Sequence, residues 1–392
     1  MWGWANDIPR AIVAAFQKHY PRVRFEFVDL SQAATHRKLQ LSLYSGSAAP
    51  DLAMVSDPLG PRFWDLGLLD LTAGMQPYRQ QFPTGKMEHV ARPDGSLQGV
   101  PWDAGPTTLV YRRDVLRRYR IEPESFDTWE HVIDAGRKLT RDSGGRVAIL
   151  QSNVATNPNG LPRCTMIGQF EVFAQQNGGS WFAPDGSVAL ASNANADALE
   201  LTRRLRTTGV TRNDLGSAQA EYAAMAEGAV ACYIAPIWTR QQMLANAPDT
   251  AGHWGAVRLP AVRPAGRRAV DLMGSSMVIT EQCSEPVAAW EFLRFWLLSP
   301  EGRIASYREG GLFENIYLPA ARRPFFRRPD PFFDGDRWLR LNSEVAREAP
   351  SFRLGIGFDA VKRQIEARLP AFVSGDLDAR TLLRQVDEAV RR

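Results

Sequence analysis

The stretch that decides the fold is Glu227-Gly228-Ala229-Val230-Ala231-Cys232-Tyr233-Ile234-Ala235-Pro236-Ile237-Trp238. A helix end is followed by a glycine break, a short apolar run typical of a buried strand, and then Pro236 and Trp238 where the strand meets its next turn. A large flat ring at a strand exit usually faces a cleft, and such rings bind the apolar face of a sugar through CH–π contact and area burial. The stretch therefore predicts a protein that holds a small polar molecule between two lobes.

Length and composition narrow the class of protein. The chain has 392 residues, which is too many for one ordinary core, so two α/β lobes are expected. The sequence contains no apolar run of about eighteen residues, and it therefore predicts no membrane helix. The formal charge is +4 and the basic residues are scattered, whereas a nucleic-acid partner requires a clustered basic face.

The three cysteines, Cys164, Cys232 and Cys283, show neither a CxxC motif nor metal-ligand spacing. An odd number leaves at least one thiol free, and the sequence does not decide whether any two form a disulfide. Met1 directly precedes Trp-Gly-Trp, which resembles the mature start of an exported chain. A cytoplasmic origin stays open on this observation alone.

The amino-terminal part alternates strands and helices. We expect a helix over 9–19, a strand over 23–28, a helix over 32–44 that ends at Gly46, and a buried parallel strand over 52–55. This order is βαβ and predicts a doubly wound α/β lobe. Further along the chain we expect a strand over 276–280, and a tail from about 359 to 392 that forms two helices broken at Gly375.

Eight short motifs in order then resemble family 1 extracellular solute-binding proteins, the sugar-binding subunits of ABC importers. They include a small-residue–Pro–Asp–apolar signature, a Gly-x-Leu-x-Asp-Leu-Thr type of element, an Asp-Gly-x-x-x-Gly-Val-Pro turn and a Thr-Trp-Glu helix start. The motifs occupy residues 47–52, 67–72, 94–101, 110–114, 128–130, 176–179, 228–238 and 286–293. The chain departs from the family pattern at Arg112, at Gln98 and in the loop 152–163, and this loop leaves the substrate open.

The resemblance implies two doubly wound α/β lobes, joined by a three-segment hinge, with the ligand cleft between them. The lobes would be 1–108 plus 266–311, and 109–265 plus 312–392. It further implies a periplasmic or extracellular monomer that binds a sugar or sugar derivative, needs no cofactor or metal, does not bind nucleic acid and docks on a membrane permease.

Ligand sites in open α/β sheets lie at the carboxyl ends of strands, which selects short windows of this sequence. The polar residues in these windows also have a structural explanation. Asn6 and Ser31 occupy positions where they can cap a helix, and Asp57 can begin an Asp-Pro turn. The candidates in the first half of the chain are Trp4, Asn6, Ser31, Gln32, Ser56, Asp57, Trp102 and Asp103.

The remaining candidates follow later strands or match the family by resemblance. Trp238 is the leading aromatic platform, and Arg353 has a guanidinium that can fork onto two acceptors but can equally be a solvated surface residue. The full set of remaining candidates is Gln151, Ser152, Trp238, Gly274, Ser275, Ser276 and Arg353.

Two alternative functions remain at this point. A glycoside hydrolase would need two carboxylates about 5–10 Å apart, for which Asp57, Asp103 and Glu171 are candidates without an acid/base motif. A receptor for a non-sugar solute on the same scaffold is the other alternative.

Overall fold

A computed structural model describes residues 1–4, 10–155, 161, 164–310 and 316–391. The chain divides into two compact units. The first comprises Met1–Gly105, Met273–Arg327 and Arg353–Ile356, and the second comprises Pro106–Leu272, Arg328–Phe352 and Gly357–Arg392. Residues 266–272 pack in the second unit, whereas the sequence-based boundaries place them in the first lobe. Residues 316–327 pack in the first unit, whereas those boundaries place them in the second lobe.

The strands are short, and most are buried. In the described part of the chain they are β1 Trp2–Gly3, β2 Val28–Asp29, β3 Leu52–Ser56, β4 Val100–Pro101, β5 Thr107–Arg112, β6 Leu150–Gln151, β7 Thr211–Arg212, β8 Cys232–Pro236, β9 Trp254–Arg258 and β10 Ser275–Ile279.

The α-helices cover about half of the remaining described chain. They are α1 Arg10–His19, α2 Gln32–Ser45, α3 Thr72–Met75, α4 Thr84–His89, α5 Arg113–Arg118, α6 Trp129–Asp142, α7 Met166–Gln176, α8 Asn193–Thr207, α9 Ala218–Ala226, α10 Thr239–Asn246, α11 Pro286–Leu297, α12 Pro300–Gly310, α13 Leu318–Ala321, α14 Trp338–Glu348, α15 Phe358–Glu366, α16 Leu369–Ser374 and α17 Ala379–Arg391. Among the described helices, none has the length and apolar character needed to cross a membrane.

The first unit is built on a mixed sheet of order β2-β1-β3-β10-β4. β1 runs parallel to β2 and β3, whereas β10 is antiparallel to both β3 and β4. Helix α1 buries Ile12, Val13 and Phe16, as its amphipathic pattern predicts, and α2 ends at Gly46 in the left-handed conformation that favours glycine.

The second unit contains a three-stranded antiparallel sheet of order β8-β5-β9 and a parallel pair, β6 and β7. A parallel bridge between Ala148 and Val230 connects the β6 segment to the β8 segment. Strand β8 is buried throughout, as the stretch from Glu227 to Trp238 predicts.

Two sequence predictions on secondary structure are wrong. Residues 23–27 alternate as a strand does, but only Val28 and Asp29 pair with a neighbour. The tail also contains a break at 367–368 in addition to the predicted one at Gly375, because Pro370 starts a new helix in its first turn.

Helix α6 approaches β6 and β7 closely at Gly136. A methyl group at this position would lie 2.7 Å from Ile149 Cγ2 and 2.7 Å from Val210 Cβ. Glycine is therefore required here by packing, since any side chain would push the helix away from the strands.

We predict that Gly136→Ala lowers the free energy of unfolding by about 1–3 kcal/mol, because overpacking outweighs the better helix propensity of alanine. Urea unfolding followed by circular dichroism measures the change. Gly216→Ala is the matched control, since its methyl group would meet no atom within 4 Å. Equal midpoints for the two variants would contradict the packing argument.

Candidate functional site

The carboxyl ends of β1 and β3 bring several predicted residues of the first unit together. Trp4 follows β1, and its ring lies 5.2 Å from that of His36. The Nε2 of His36 accepts a hydrogen bond of 3.0 Å from the backbone N–H of Ser56. Burial lowers the pKa of His36 to about 4, so the ring is neutral at pH 7 and fixes the end of β3.

Ser31 and Gln32 open helix α2 at the same edge. The hydroxyl of Ser31 accepts a hydrogen bond of 3.2 Å from the N–H of Ala34, which is the capping role given above as the alternative. Both side chains are exposed. Asn6 lies outside the described residues.

Asp57 is a buried ion-pair partner in this structure. Its side chain is 1% exposed, and its Oδ1 and Oδ2 lie 2.7 and 2.5 Å from Nζ of Lys86, whose side chain is fully buried. The carboxylate also accepts hydrogen bonds from the backbone N–H of Gly274 (2.8 Å) and the hydroxyl of Ser276 (3.0 Å). Both oxygens of Asp57 are thus bonded within the protein, and the contact of Asp57 with a ligand stays a prediction from the sequence.

Electrostatics explains why this carboxylate stays charged. Burial by itself would raise the pKa of Asp57 and is the largest single effect, but Lys86 and His89 together outweigh it and hold the pKa far below its ordinary value of 3.8. Lys86 also donates to the backbone oxygen of Ser275 (2.8 Å), and Nδ1 of His89 lies 3.6 Å from Oδ2 of Asp57. Sequence analysis missed Lys86, since a lysine is rarely fully buried and its pattern gives no warning.

The start of β10 is locked to the segment that follows β4. Oδ1 of Asp103 accepts a hydrogen bond of 2.5 Å from the N–H of Ser275, and a methyl group on Gly274 would lie 2.5 Å from the backbone oxygen of Asp103. Trp102 is 2% exposed, and its backbone oxygen accepts a hydrogen bond from the buried Arg303. Asp103, Ser275, Ser276 and Trp102 are buried and Gly274 is partly buried, so these residues help to build the framework of the first unit, and their role as ligand contacts stays a prediction.

In the second unit the predicted ligand-binding residues Trp238 and Ser152 differ in their burial and hydrogen bonding. Trp238 immediately precedes α10 and is partly buried. The hydroxyl of Ser152 donates to Oε1 of Gln169 (2.8 Å), and Nε2 of Gln169 donates to the backbone oxygen of Gln151 (2.8 Å). Ser152 is therefore satisfied within the protein, and Gln169 holds the backbone at the end of β6.

The side chain of Gln151 is the exception. It is 1% exposed, yet neither its amide nitrogen nor its amide oxygen has a hydrogen-bond partner among the described residues. Tyr233 Oη and Thr108 Oγ1 are likewise buried without a partner in that part of the chain. Sequence analysis missed Tyr233 and Thr108, because each lies in a strand whose apolar pattern predicts only core residues.

Two of these polar atoms share one face of neighbouring strands. Tyr233 on β8 pairs with Val110 on β5, and Thr108 stands two residues from Val110. Residues in register, or two apart along a strand, point to the same face. A phenol and a hydroxyl at one face offer both donors and acceptors, the combination that a hydroxylated molecule or ordered water satisfies.

The remaining predicted residue, Arg353, has an exposed side chain in the first unit. The three cysteines are all free thiols, with Cys164 and Cys232 buried. Within the described residues, no group of His, Cys, Asp and Glu side chains is arranged to hold a metal ion.

The described geometry does not favour the hydrolase alternative. Asp57 is paired with Lys86 in the first unit, and Glu171 is buried in the second with its Oε1 3.4 Å from Nζ of Lys362. The pKa of Asp57 is lowered by its charged neighbours, whereas a general acid needs a raised pKa.

Residues 4–304 match the sequence profile of the bacterial extracellular solute-binding protein family. This match spans most of the chain, and the protein therefore belongs to that family. Its members are binding proteins rather than enzymes, so the hydrolase alternative is wrong.

Individual proteins show the same likeness. The lactose-binding protein of Rhizobium radiobacter is 27% identical over 411 residues, covering 96% of this chain and 88% of that protein. The solved structure of a family 1 extracellular solute-binding protein has a TM-score of 0.83 at 17% identity and covers 99% of this chain and 98% of its own. The GacH receptor of Streptomyces glaucescens has a TM-score of 0.79 at 16% identity, with 100% and 96% covered. The predicted α/β fold of periplasmic binding proteins is confirmed.

We predict that Lys86→Met lowers the free energy of unfolding by about 3–5 kcal/mol, since it leaves the carboxylate of Asp57 buried without a counter-charge. Because the folded pKa of Asp57 is depressed, the contribution of the pair is present above pH 4 and is lost as the pH falls through that folded pKa. Urea unfolding at pH 7 and at lower pH measures both effects.

The control for this variant is Arg137→Met, which removes an exposed ion pair with Asp134. It changes the free energy of unfolding by less than about 1 kcal/mol. A Lys86→Met variant that is as stable as this control would show that the buried pair does not hold the first unit together.

Proposed function

We propose that this protein is an extracytoplasmic receptor that captures a sugar or sugar derivative in a cleft between two lobes and delivers it to the permease of an ABC importer. Family membership supports an extracellular solute as the ligand. The lactose-binding relative and the GacH receptor, whose structure was determined in complex with acarbose, support a carbohydrate.

The observation that carries the proposal is the buried side chain of Gln151 with its amide unpaired among the described residues. Leaving such a group unsatisfied costs about 1–3 kcal/mol, and a protein core usually pairs it or replaces it. A hydroxyl group of a sugar both donates and accepts, so sugar hydroxyls can satisfy the amide nitrogen and oxygen of Gln151. In the absence of a ligand, water would bond the amide of Gln151 instead. A ligand that displaces this water is recognised specifically if its own hydroxyls reproduce these hydrogen bonds.

Trp238 supplies the apolar half of the recognition. It lies two residues after the end of β8 and is only partly buried. An indole face buries the axial C–H groups of a pyranose while the hydroxyls at the ring edge remain free for hydrogen bonds. Together, Trp238 and the polar face of the second unit favour a neutral hydroxylated ligand.

Binding would be coupled to closure of the lobes about the segments where the chain passes from one unit to the other. These five crossings lie at Gly105–Pro106, Leu272–Met273, Arg327–Arg328, Phe352–Arg353 and Ile356–Gly357. The permease would then distinguish the closed, loaded receptor from the open one. In this cycle the protein acts as a monomer in the periplasm or at the cell surface and is associated with the membrane through the transporter. The cycle requires neither a cofactor nor catalysis.

We predict that Trp238→Ala abolishes the rise in melting temperature that a cognate sugar produces, because the stacking surface is lost while the core is unchanged. Differential scanning fluorimetry over lactose, maltose, acarbose and arabino-oligosaccharides measures the shift. Tyr44→Ala, which truncates a ring that is 67% exposed on α2, is the matched control and keeps the full shift. An undiminished shift in Trp238→Ala would remove this residue from the site, and no shift for any carbohydrate with the unmodified protein would overturn the proposal.

We further predict opposite effects of Gln151→Leu on stability and on binding. The unliganded protein is equally stable or up to about 1 kcal/mol more stable, since the variant removes an unpaired buried amide. The affinity for the sugar falls about 10- to 100-fold, equivalent to about 1–3 kcal/mol. Urea unfolding and isothermal titration calorimetry measure the two quantities.

Gln169→Leu provides the contrast for the stability measurement. The amide of Gln169 bonds both Ser152 and the backbone oxygen of Gln151, so its loss lowers the free energy of unfolding. If Gln151→Leu destabilises the protein as much as Gln169→Leu and leaves the affinity unchanged, the amide of Gln151 does not bind the ligand.

A further inference from the structure

The backbone just after the unpaired amide of Gln151 is fully hydrogen-bonded, although beyond β6 it forms only an isolated bridge. From the oxygen of Gln151 to the N–H of Val154, each backbone N–H and each backbone oxygen has a partner. Backbone groups supply some of these partners, and the side chains of Gln169, Arg206 and Asp214 supply the rest. Side chains from separate places in the second unit thus bond backbone groups that a surface loop commonly leaves to water.

Arg206 and Asp214 form one bridge across this segment. The guanidinium of Arg206, on α8, donates to the backbone oxygen of Ser152 and to Oδ2 of Asp214. Oδ1 of Asp214 accepts a hydrogen bond of 3.2 Å from the N–H of Val154. The pair therefore spans the segment from Ser152 to Val154 and ties it to α8.

The backbone of Asp214 is in an unfavourable conformation that this bridge offsets. Its φ is 55°, in the left-handed region where residues other than glycine are uncommon. Aspartate and asparagine tolerate this region better than most residues, because their short side chains bond nearby backbone groups. A residue held in such a conformation beside a buried unpaired amide favours a functional reason for the local geometry, since strained residues cluster at ligand sites.

The fixed segment determines where the amide of Gln151 stands. Gln151 pairs with Arg212 on β7, and its backbone oxygen accepts a hydrogen bond of 2.8 Å from Nε2 of Gln169. The bridge adds a third attachment one residue further on, at the oxygen of Ser152. An amide that is held in place before the ligand arrives loses little conformational freedom on binding, so more of the interaction energy appears as affinity.

We propose that Arg206 and Asp214 are positioning residues for ligand binding: their bridge fixes residues 152–154, and this segment holds the amide of Gln151 where it meets a sugar hydroxyl. The inference rests on the proposed function, because it takes Gln151 as a ligand contact. In this role neither side chain of the bridge touches the ligand, and both act through the backbone.

The test is Asp214→Ala in the full chain, with the sugar that raises the melting temperature of the unmodified protein most. Isothermal titration calorimetry is expected to show an affinity about five- to tenfold lower, since the amide is less well positioned. Amide hydrogen exchange in a peptide covering 149–155 of the unliganded variant is expected to be about tenfold faster.

Two further variants separate positioning from a general loss of charge. Asp214→Asn keeps an acceptor for the N–H of Val154 and tolerates the left-handed conformation, so its affinity stays within about twofold. Asp134→Ala removes an exposed ion pair with Arg137 on α6 and is the matched control, which changes neither the affinity nor the exchange.

A double-mutant cycle then tests whether the bridge acts through Gln151. In the Gln151→Leu background Asp214→Ala has no further effect on affinity, because the amide that it positions is gone. An equal loss of affinity in both backgrounds would overturn the inference, and so would an unchanged affinity or an unchanged exchange rate in Asp214→Ala alone. If the unmodified protein binds no carbohydrate, the proposed function fails, whereas binding by the unmodified protein without a loss in Asp214→Ala overturns this inference alone.

Discussion

The first unit depends on the buried pair of Asp57 and Lys86. A carboxylate taken out of water is tolerated only where a counter-charge and further donors surround it, and here Lys86, Gly274 and Ser276 fill these places. These groups come from the end of β3, from α4 and from the start of β10, which are far apart in sequence. Because removing Lys86 would strand the charge of Asp57 in the core, and the other two donors also bond this carboxylate, the pair holds three segments in one arrangement.

The two units differ in how they treat polar groups at strand ends. In the first unit the side chains of Asp57, Asp103 and Ser276 are bonded within the protein and build the framework. In the second unit the amide of Gln151 and the hydroxyl of Tyr233 are buried with no partner among the described residues. Since an unsatisfied buried group costs stability, its persistence favours a functional reason, and natural proteins usually break local rules at functional sites.

Much of the architecture could be predicted from the sequence, because it follows from local rules. The helix of 32–45 with its cap at Ser31 and its end at Gly46, and the buried strands at 52–56 and 232–236, are all encoded within a few residues. The segment 23–27 was mispredicted for a non-local reason. Its alternation is that of a strand, but β1 is too short to pair with it.

The sequence by itself determined the class of fold, the positions of the strand ends and the presence of Trp238 after β8, because periodicity, caps and turns act over a few residues. Only the tertiary structure decided which polar residues at those strand ends are left without a partner in the protein and are available to bind a ligand. Asp57 and Gln151 both follow the rule for ligand sites, yet one meets Lys86 and the other meets no described partner. The difference arises from groups far away in the chain that folding brings together, and spacing along the sequence carries no information about them.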